Sequence, residues 1–485
     1  MTSLRDRTIS GIFWSFMQKV GSRGIQLLVS IVLARILTPK DFGLMGMLAI
    51  FIEVSQTLIN GGFNQALIQK KDADEEDYSS VFYINLLASI ALYGILFFCA
   101  PLIADFYRQP ILVPMTRVLA VVFIINAFAY VQQARLTKFL QFKTLMFIHI
   151  PSTVISGVIS IVMAWAGFGV WSIVAQQIVM RLAYAIQLWI RSKWTPLQSF
   201  NRQRAKKLFS FGGKLMVSGL LDSAYSNIYL IVIGKFFPVD VLGYYQNARN
   251  LARTPTNTLS SVLSSVTYPA FSTIQDDNAR LKAGYKRSIE QLLFWLCPIS
   301  VFAGVLATPL FRFILTAKWL PAVPYFQLLC VVGILFPLNS FNLNIINVKG
   351  RSDLFLKLEI IKKVIVTIGI IATLPFGIWA LVIFQAANSF IAYFINSYYS
   401  GRFIQYPMGE QIRDIMPILL LTAGTGLLIG LTDHFLSGTP DIARLVVGFG
   451  LGSVLYWMAS RFWKLAPYLE FKHFFQTKLV NRFSK

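Results

Sequence analysis

Apolar runs of roughly 20 residues, separated by short polar connections, recur along the whole chain, and that is the length a helix needs to cross the hydrocarbon core of a bilayer. About fourteen such runs are predicted as transmembrane helices. A first bundle comprises 9–36, 42–63, 81–104, 113–131, 145–165 and 170–190. A second comprises 208–233, 244–266, 292–310, 324–346, 358–374 and 378–397, and two more, 415–431 and 442–458, follow.

The two bundles repeat one another. Phe168-Gly169-Val170-Trp171-Ser172-Ile173-Val174 returns as Phe376-Gly377-Ile378-Trp379-Ala380-Leu381-Val382, and Ile31-Val32-Leu33-Ala34-Arg35 ending at Gly43 returns as Ile231-Val232-Ile233-Gly234-Lys235 ending at Gly243. Both matches are offset by about 200 residues, so one six-helix unit has been copied in the same orientation. The expected organisation is a six-helix lobe over 1–192, a basic linker over 193–207, a second six-helix lobe over 208–401, two extra helices within 402–460 and a tail over 461–485. A duplicated bundle of membrane helices points to a transporter.

Composition supports the bilayer: 56% of the 485 residues are hydrophobic and 13% charged, too apolar for a water-soluble globule. The net charge of +23 is dispersed between apolar segments instead of gathered on a soluble domain, which argues for cytoplasmic positive loops over nucleic-acid binding. Arg191, Lys193, Arg202, Arg204, Lys206 and Lys207 make the longest basic connection, and the loops around Lys138, Lys282 and Lys349 are basic as well. With an even number of spans, both termini are expected in the cytoplasm, and residues 1–10 show no cleavable secretory signal. In the tail, Phe471, Phe474, Phe475, Leu479 and Phe483 recur at helical spacing with Lys472, Lys478, Arg482 and Lys485 largely off that stripe. Such a helix lies along the inner-leaflet surface; a disordered basic tail is the alternative. Cys99, Cys297 and Cys330 read as packing residues, and His149, His434 and His473 are too scattered to suggest a metal site, so no cofactor is expected.

A charged side chain at bilayer depth costs about 2.5 to 3.5 kcal/mol on the insertion scale, so those that occur face a watery cavity, a partner or a substrate. Here they concentrate on the first two helices of each repeat: Gln18, Lys19, Arg23 and Gln26; Glu53; Lys214 and Asp222; Asn247, Arg249, Asn250 and Arg253. Lys19 with Arg23, and Arg249 with Arg253, stand four residues apart and share a helix face. The candidate substrate-binding residues are therefore Lys19, Arg23, Gln26, Lys214, Asn247, Arg249, Asn250 and Arg253, a cationic set suited to phosphate or carboxylate. Snorkelling to the interface is the competing account for Lys19 and Lys214. Glu53 corresponds to Arg253 by the repeat offset, and Glu53 or Asp222 is a candidate to bind a proton or sodium ion that drives transport, or else neutralises a neighbouring cation.

Asn339, Asn342, Asn344 and Asn347 either hydrogen-bond sugar hydroxyls or hold neighbouring helices together, the latter slightly favoured, and Arg181, Gln176 and Gln177 share that ambiguity. Trp14, Trp171, Trp319 and Trp379 read as interfacial anchors.

The run Leu33-Ala34-Arg35-Ile36-Leu37-Thr38-Pro39-Lys40-Asp41-Phe42-Gly43 resembles the signature of polysaccharide transporters in the multidrug/oligosaccharidyl-lipid/polysaccharide exporter superfamily. So do Tyr268-Pro269-Ala270-Phe271-Ser272-Thr273-Ile274-Gln275-Asp276-Asp277, Lys318-Trp319 and the two Phe-Gly-[Val/Ile]-Trp segments. Within the superfamily the chain is most similar to the colanic-acid and teichuronic-acid type of lipid-linked oligosaccharide flippase. The resemblance implies an all-α polytopic membrane protein with two pseudo-symmetric six-helix lobes in a V and alternating access. It also implies an undecaprenyl-pyrophosphate-linked oligosaccharide substrate carried across the bacterial inner membrane for capsule, exopolysaccharide or O-antigen synthesis, beside the polymerase and glycosyltransferases of that pathway. Glu53 departs from a purely cationic cavity.

A multidrug/cation antiporter of the same fold would call for dominant carboxylates and aromatics, whereas this set is net positive. A membrane polysaccharide polymerase or glycosyltransferase needs a sizeable catalytic loop or clustered acidic residues, which the sequence lacks, so no enzymatic activity is expected. Gly212-Gly213-Lys214 lacks the upstream glycine and the following Ser/Thr of a phosphate-binding loop.

Overall fold

The computed structural model describes residues 4–60, 67, 70, 72–192, 194–197 and 219–483, and these are helical with no strand. In chain order the first helices are α1 (Leu4–Ile36), α2 (Pro39–Asn60), α3 (Glu75–Tyr107), α4 (Leu112–Leu119), α5 (Val121–Lys138), α6 (Phe142–Trp165) and α7 (Trp171–Ser192). After a helical stretch over 219–226 come α8 (Ile228–Phe236), α9 (Val239–Thr273), α10 (Asn278–Val305), α11 (Ala307–Ile314) and α12 (Val323–Val348). The last are α13 (Ser352–Thr373), α14 (Gly377–Ile404), α15 (Met408–Phe435), α16 (Asp441–Phe462) and α17 (Ala466–Phe483).

Local chemistry sets the ends of these helices. At the α1–α2 corner, the Asp41 carboxylate accepts from both the Thr38 main-chain N–H (2.8 Å) and the Thr38 hydroxyl (2.7 Å), and Pro39 starts α2, where its missing N–H costs nothing. Asp74 and Asp77 form a reciprocal capping box before α3, and Asp277 caps α10 by accepting from Arg280 N at 3.0 Å. The repeated Phe-Gly-X-Trp segments are helix-to-helix corners in which the glycine takes a left-handed backbone, φ +55° at Gly169 and +87° at Gly377.

Ten helical stretches among the described residues are long and apolar enough to cross a membrane, and the one over Ser352–Ile404 contains both α13 and α14. Large side chains such as Phe98, Phe435 and Phe462 stand about four-fifths exposed, as on a lipid-facing surface. The molecule is an all-α, multi-pass membrane protein. α1 and α9, although 33 and 35 residues long, are not among the ten, because polar and charged residues interrupt their apolar runs.

Three expected spans are interrupted. The span at 113–131 is divided at Ala120 between α4 and α5, and that at 292–310 at Leu306 between α10 and α11. The span at 208–233 breaks at Asn227, whose side-chain amide donates to the Ser223 carbonyl (3.0 Å) that a regular helix would reserve for the main chain.

By contact the chain divides into Met1–Gln246 and Asn247–Lys485. In the first unit α6 packs along both α1 and α7, and glycines allow the approach: a Cβ on Gly157 would meet Val29 at 2.5 Å and one on Gly11 would meet Phe142 at 2.9 Å. In the second, α10 packs against α15 and α12 against α14 around Tyr285, Phe294 and Phe341, all buried.

Gly43 and Gly243, matched by the repeat, touch within the first unit. A Cβ on Gly243 would lie 1.8 Å from the Pro39 carbonyl oxygen and 3.2 Å from Gly43 N, and one on Gly43 would lie 2.1 Å from the Val239 carbonyl oxygen. The first turns of α2 and α9 therefore meet backbone to backbone, a contact that excludes every residue but glycine.

Candidate functional site

Lys19, Arg23 and Gln26 follow one another along α1 at helical spacing, with Lys19 and Gln26 exposed and Arg23 partly buried. Ser22, between them in sequence, is buried and turns toward α6, where its hydroxyl lies 3.0 Å from His149 Nδ1. On α9, Asn250 and Arg253 are exposed, whereas Asn247 and Arg249 are buried, with the Asn247 side-chain nitrogen unpartnered among the described residues. Among the described residues no ion pair forms at Lys19 or Arg253. Lys214 lies outside the described residues.

Glu53 and Asp222 are exposed, and Glu53 is tied to the interruption before α8. Its Oε2 accepts from Asn227 Nδ2 at 2.5 Å, and one turn along α2 the Thr57 hydroxyl meets that of Ser223 at 3.0 Å. A carboxylate, a broken helix and two hydroxyls thus come together inside the first unit, an arrangement that the single continuous span expected over 208–233 had hidden.

The amide series on α12 binds helices to one another. Asn339 donates to the carbonyls of Leu335 and Ser389 (both 3.2 Å) and accepts from Asn396 at 2.9 Å, while Ser400 donates to Asn342 at 2.5 Å, so these groups hold α12 to α14. Trp319 corrects its expected role as an interfacial anchor. It is fully buried, because the 3₁₀ turn Ala317–Ala322 folds back against α11 and α12. Trp379 is nearly half exposed and stacks on Tyr325 with ring centroids 4.8 Å apart.

Carboxylates and cations pair elsewhere. Lys282 bonds Glu410 at 2.7 Å, Lys286 bonds Asp414 at 2.8 Å and Arg287 bonds Glu470 at 2.7 Å, joining α10 to α15 and α17. Just before α15, burial and the hydrogen bond its hydroxyl makes to Asp414 (2.6 Å) both raise the Tyr406 phenol far above its ordinary value. Among the described residues no three His, Cys, Asp or Glu side chains converge as a metal site would require.

The sequence profile of the polysaccharide biosynthesis protein family matches residues 32–324, more than half of the chain. The chain belongs to this family. It is 27% identical over 466 residues to the teichuronic acid biosynthesis protein TuaB of Bacillus subtilis (strain 168), covering 94% of this chain and 95% of that one. It is 25% identical to the lipopolysaccharide biosynthesis protein WzxC of Escherichia coli (strain K12), covering 93% and 89%. Among solved structures, the lipid II flippase MurJ in an inward closed conformation matches with a TM-score of 0.70 at 18% identity, over 93% of this chain and 99% of that one. This family member therefore shares the MurJ fold, and the family suggested by the Thr38-Pro39-Lys40-Asp41 corner is the one found.

Proposed function

We propose that this polysaccharide biosynthesis family member is a flippase. It moves undecaprenyl-pyrophosphate-linked oligosaccharide repeat units from the cytoplasmic to the periplasmic leaflet of the bacterial inner membrane by alternating access, with no covalent chemistry. The observation that carries the proposal is the polarity of α1 and α9: two helices of ample length for a membrane carry Lys19, Arg23, Arg249 and Arg253 where their neighbours are apolar. Cations held at that depth are expensive unless an anion repays their desolvation, and a pyrophosphate headgroup is such an anion. Arginine forks bind phosphate oxygens in pairs and keep their charge at any physiological pH. The lipid tail stays among the exposed apolar side chains while the headgroup crosses.

The names of the relatives support a polysaccharide precursor over a drug. The test is leaflet transfer of a fluorescent polyprenyl-pyrophosphate oligosaccharide in liposomes containing the purified chain. Arg253→Ala, exposed and outside any described ion pair, is expected to cut transfer at least about 10-fold while leaving the fold intact. Absence of transfer by the native chain, with drug–proton exchange in its place, would refute the flippase.

A further inference from the structure

Where α16 gives way to α17, a cavity of about 450 Å³ lies between that corner and the flanks of α10 and α15. α10 contributes Glu290 to its lining, α15 contributes Asp414, Pro417 and Ile418, and the corner contributes Trp463 and Lys464. The chain itself gives the depth of the cavity in the bilayer. The apolar run at 292–310 begins two residues after Glu290, that at 415–431 begins one residue after Asp414, and that at 442–458 ends five residues before Trp463. Three separate elements thus place the cavity at the boundary between hydrocarbon and headgroups, where the half-exposed Trp463 indole belongs. Phe462 beside it is four-fifths exposed, as on a lipid-facing surface.

The charges around the cavity pair one to one and leave a remainder. Lys282 bonds Glu410, Lys286 bonds Asp414 and Arg287 bonds Glu470. Asp414 fills its second oxygen with the Tyr406 hydroxyl at 2.6 Å, and Glu470 also accepts from Gln291 at 2.7 Å. Glu290 is left over. Its side chain is only 14% exposed, and the cation it reaches, Lys286 Nζ at 4.0 Å, is already bonded to Asp414. Among the described residues its carboxylate makes no hydrogen bond. A carboxylate so far removed from water is costly until a cation donates hydrogens to it. Lys464 is the matching remainder of opposite sign, exposed and in no ion pair among the described residues.

We propose that this cavity binds the headgroup of a phospholipid bearing a primary ammonium, of the phosphatidylethanolamine kind, with the ammonium on Glu290 and the phosphate at Lys464. A zwitterion satisfies both remainders at once, and a cavity at headgroup depth beside lipid-facing side chains is open to lipid before it is open to any solute. A primary ammonium brings three N–H donors to the carboxylate, whereas the trimethylated ammonium of a choline lipid brings none. An anionic glycerol headgroup offers Glu290 no cation and is repelled by it. The same repulsion keeps the pyrophosphate substrate proposed above out of this cavity, so the site stands independently of that reading. A headgroup held here bridges α10, α15 and the α16–α17 corner, and its binding therefore stabilises the second unit.

The test titrates the delipidated full chain in mild detergent with dioleoyl phosphatidylethanolamine, phosphatidylcholine and phosphatidylglycerol, counting bound lipid by native mass spectrometry and following thermal unfolding. The ethanolamine lipid is expected to bind at least about 5-fold tighter than the other two and to raise the unfolding temperature most. Glu290→Gln is expected to lose most of that preference, because a neutral amide no longer attracts the ammonium. Lys464→Glu is expected to weaken the ethanolamine lipid by about 5-fold or more, by setting a carboxylate against its phosphate. Equal binding of the three lipids, or a preference that Glu290→Gln retains, overturns the site. Phosphoethanolamine without acyl chains is expected to compete only at about 100-fold higher concentration or above. If it binds and stabilises as well as the lipid does, the occupant is a soluble phosphoamine and the lipid assignment is overturned. Should Glu290→Gln not accumulate, Lys464→Glu at its exposed position decides, and an unchanged ethanolamine preference there counts against the site.

Discussion

α2 and α9 hold corresponding places in the two repeats, and both begin with a glycine whose neighbour is another backbone. Beyond that turn they diverge. α2 is apolar enough to cross a membrane and bears Glu53, bonded to Asn227; α9 is too polar to qualify and bears Arg253 at the matching position, with no ion pair among the described residues. The same contrast runs through the corners: Gly169 and Gly377 both keep a positive φ, +55° and +87°, while the Trp379 ring beside the second stacks on Tyr325. Duplication has preserved what sterics demand of the main chain and released what electrostatics ask of the side chains. A Cβ that overlaps a carbonyl has no remedy, whereas a charge can be exchanged for another once its partner changes.

The strongest way to break this comparison is at the glycine contact. Gly243→Ala and Gly43→Ala place a methyl group against carbonyl oxygens that cannot move without shifting a helix, so each is expected to destabilise by about 3 kcal/mol or more and to abolish monodisperse protein. Gly24→Ala and Gly94→Ala, with nothing within 4 Å, are the controls and should unfold at the native temperature. Equal behaviour of all four in thermal unfolding would remove the claim that the repeats meet backbone to backbone.

A second experiment makes the mates alike. Glu53→Arg removes the acceptor for Asn227 and sets a cation in its place, with an expected loss of about 1 to 3 kcal/mol in thermal unfolding, whereas Glu53→Gln keeps a carbonyl acceptor and is expected to cost under about 1 kcal/mol. Equal losses would mean that the charge of Glu53, and not its hydrogen bond, holds the interruption before α8. The smallest effect belongs to the corners. Gly169→Ala should cost about 1 kcal/mol and Gly377→Ala somewhat more, because Gly377 combines a φ of +87° with a ψ of −178°, a region that essentially only glycine enters. A larger loss at Gly169 would show that the backbone conformation is not what sets the cost at these corners.

Much of this was legible in the chain. The apolar runs located the helices, and the paired Gly43 and Gly243 stood out as a repeat before their contact was visible. The candidate cations could be named but not sorted: Arg249 and Arg253 share a helix face on paper, yet one is buried and the other exposed. Asn227 ends the polar stretch Asp222-Ser223-Ala224-Tyr225-Ser226, and nothing nearby in sequence announced its bond to Glu53, 174 positions away. Trp319 carried the composition of an interfacial anchor, and only the 3₁₀ turn around it reversed that.

The chain by itself determined that this is a duplicated, all-helical membrane protein with two unusually polar helices, because hydrophobic length, helical period and steric need for glycine are properties of short stretches of sequence. Tertiary structure decided which polar groups are committed and which remain available. The Asn339–Asn396 bond, the Glu53–Asn227 bond and the contact between Ser22 and His149 all depend on side chains brought together from distant parts of the chain. Inside an apolar medium a polar group takes its character from the partner it finds, and the partner is set by packing.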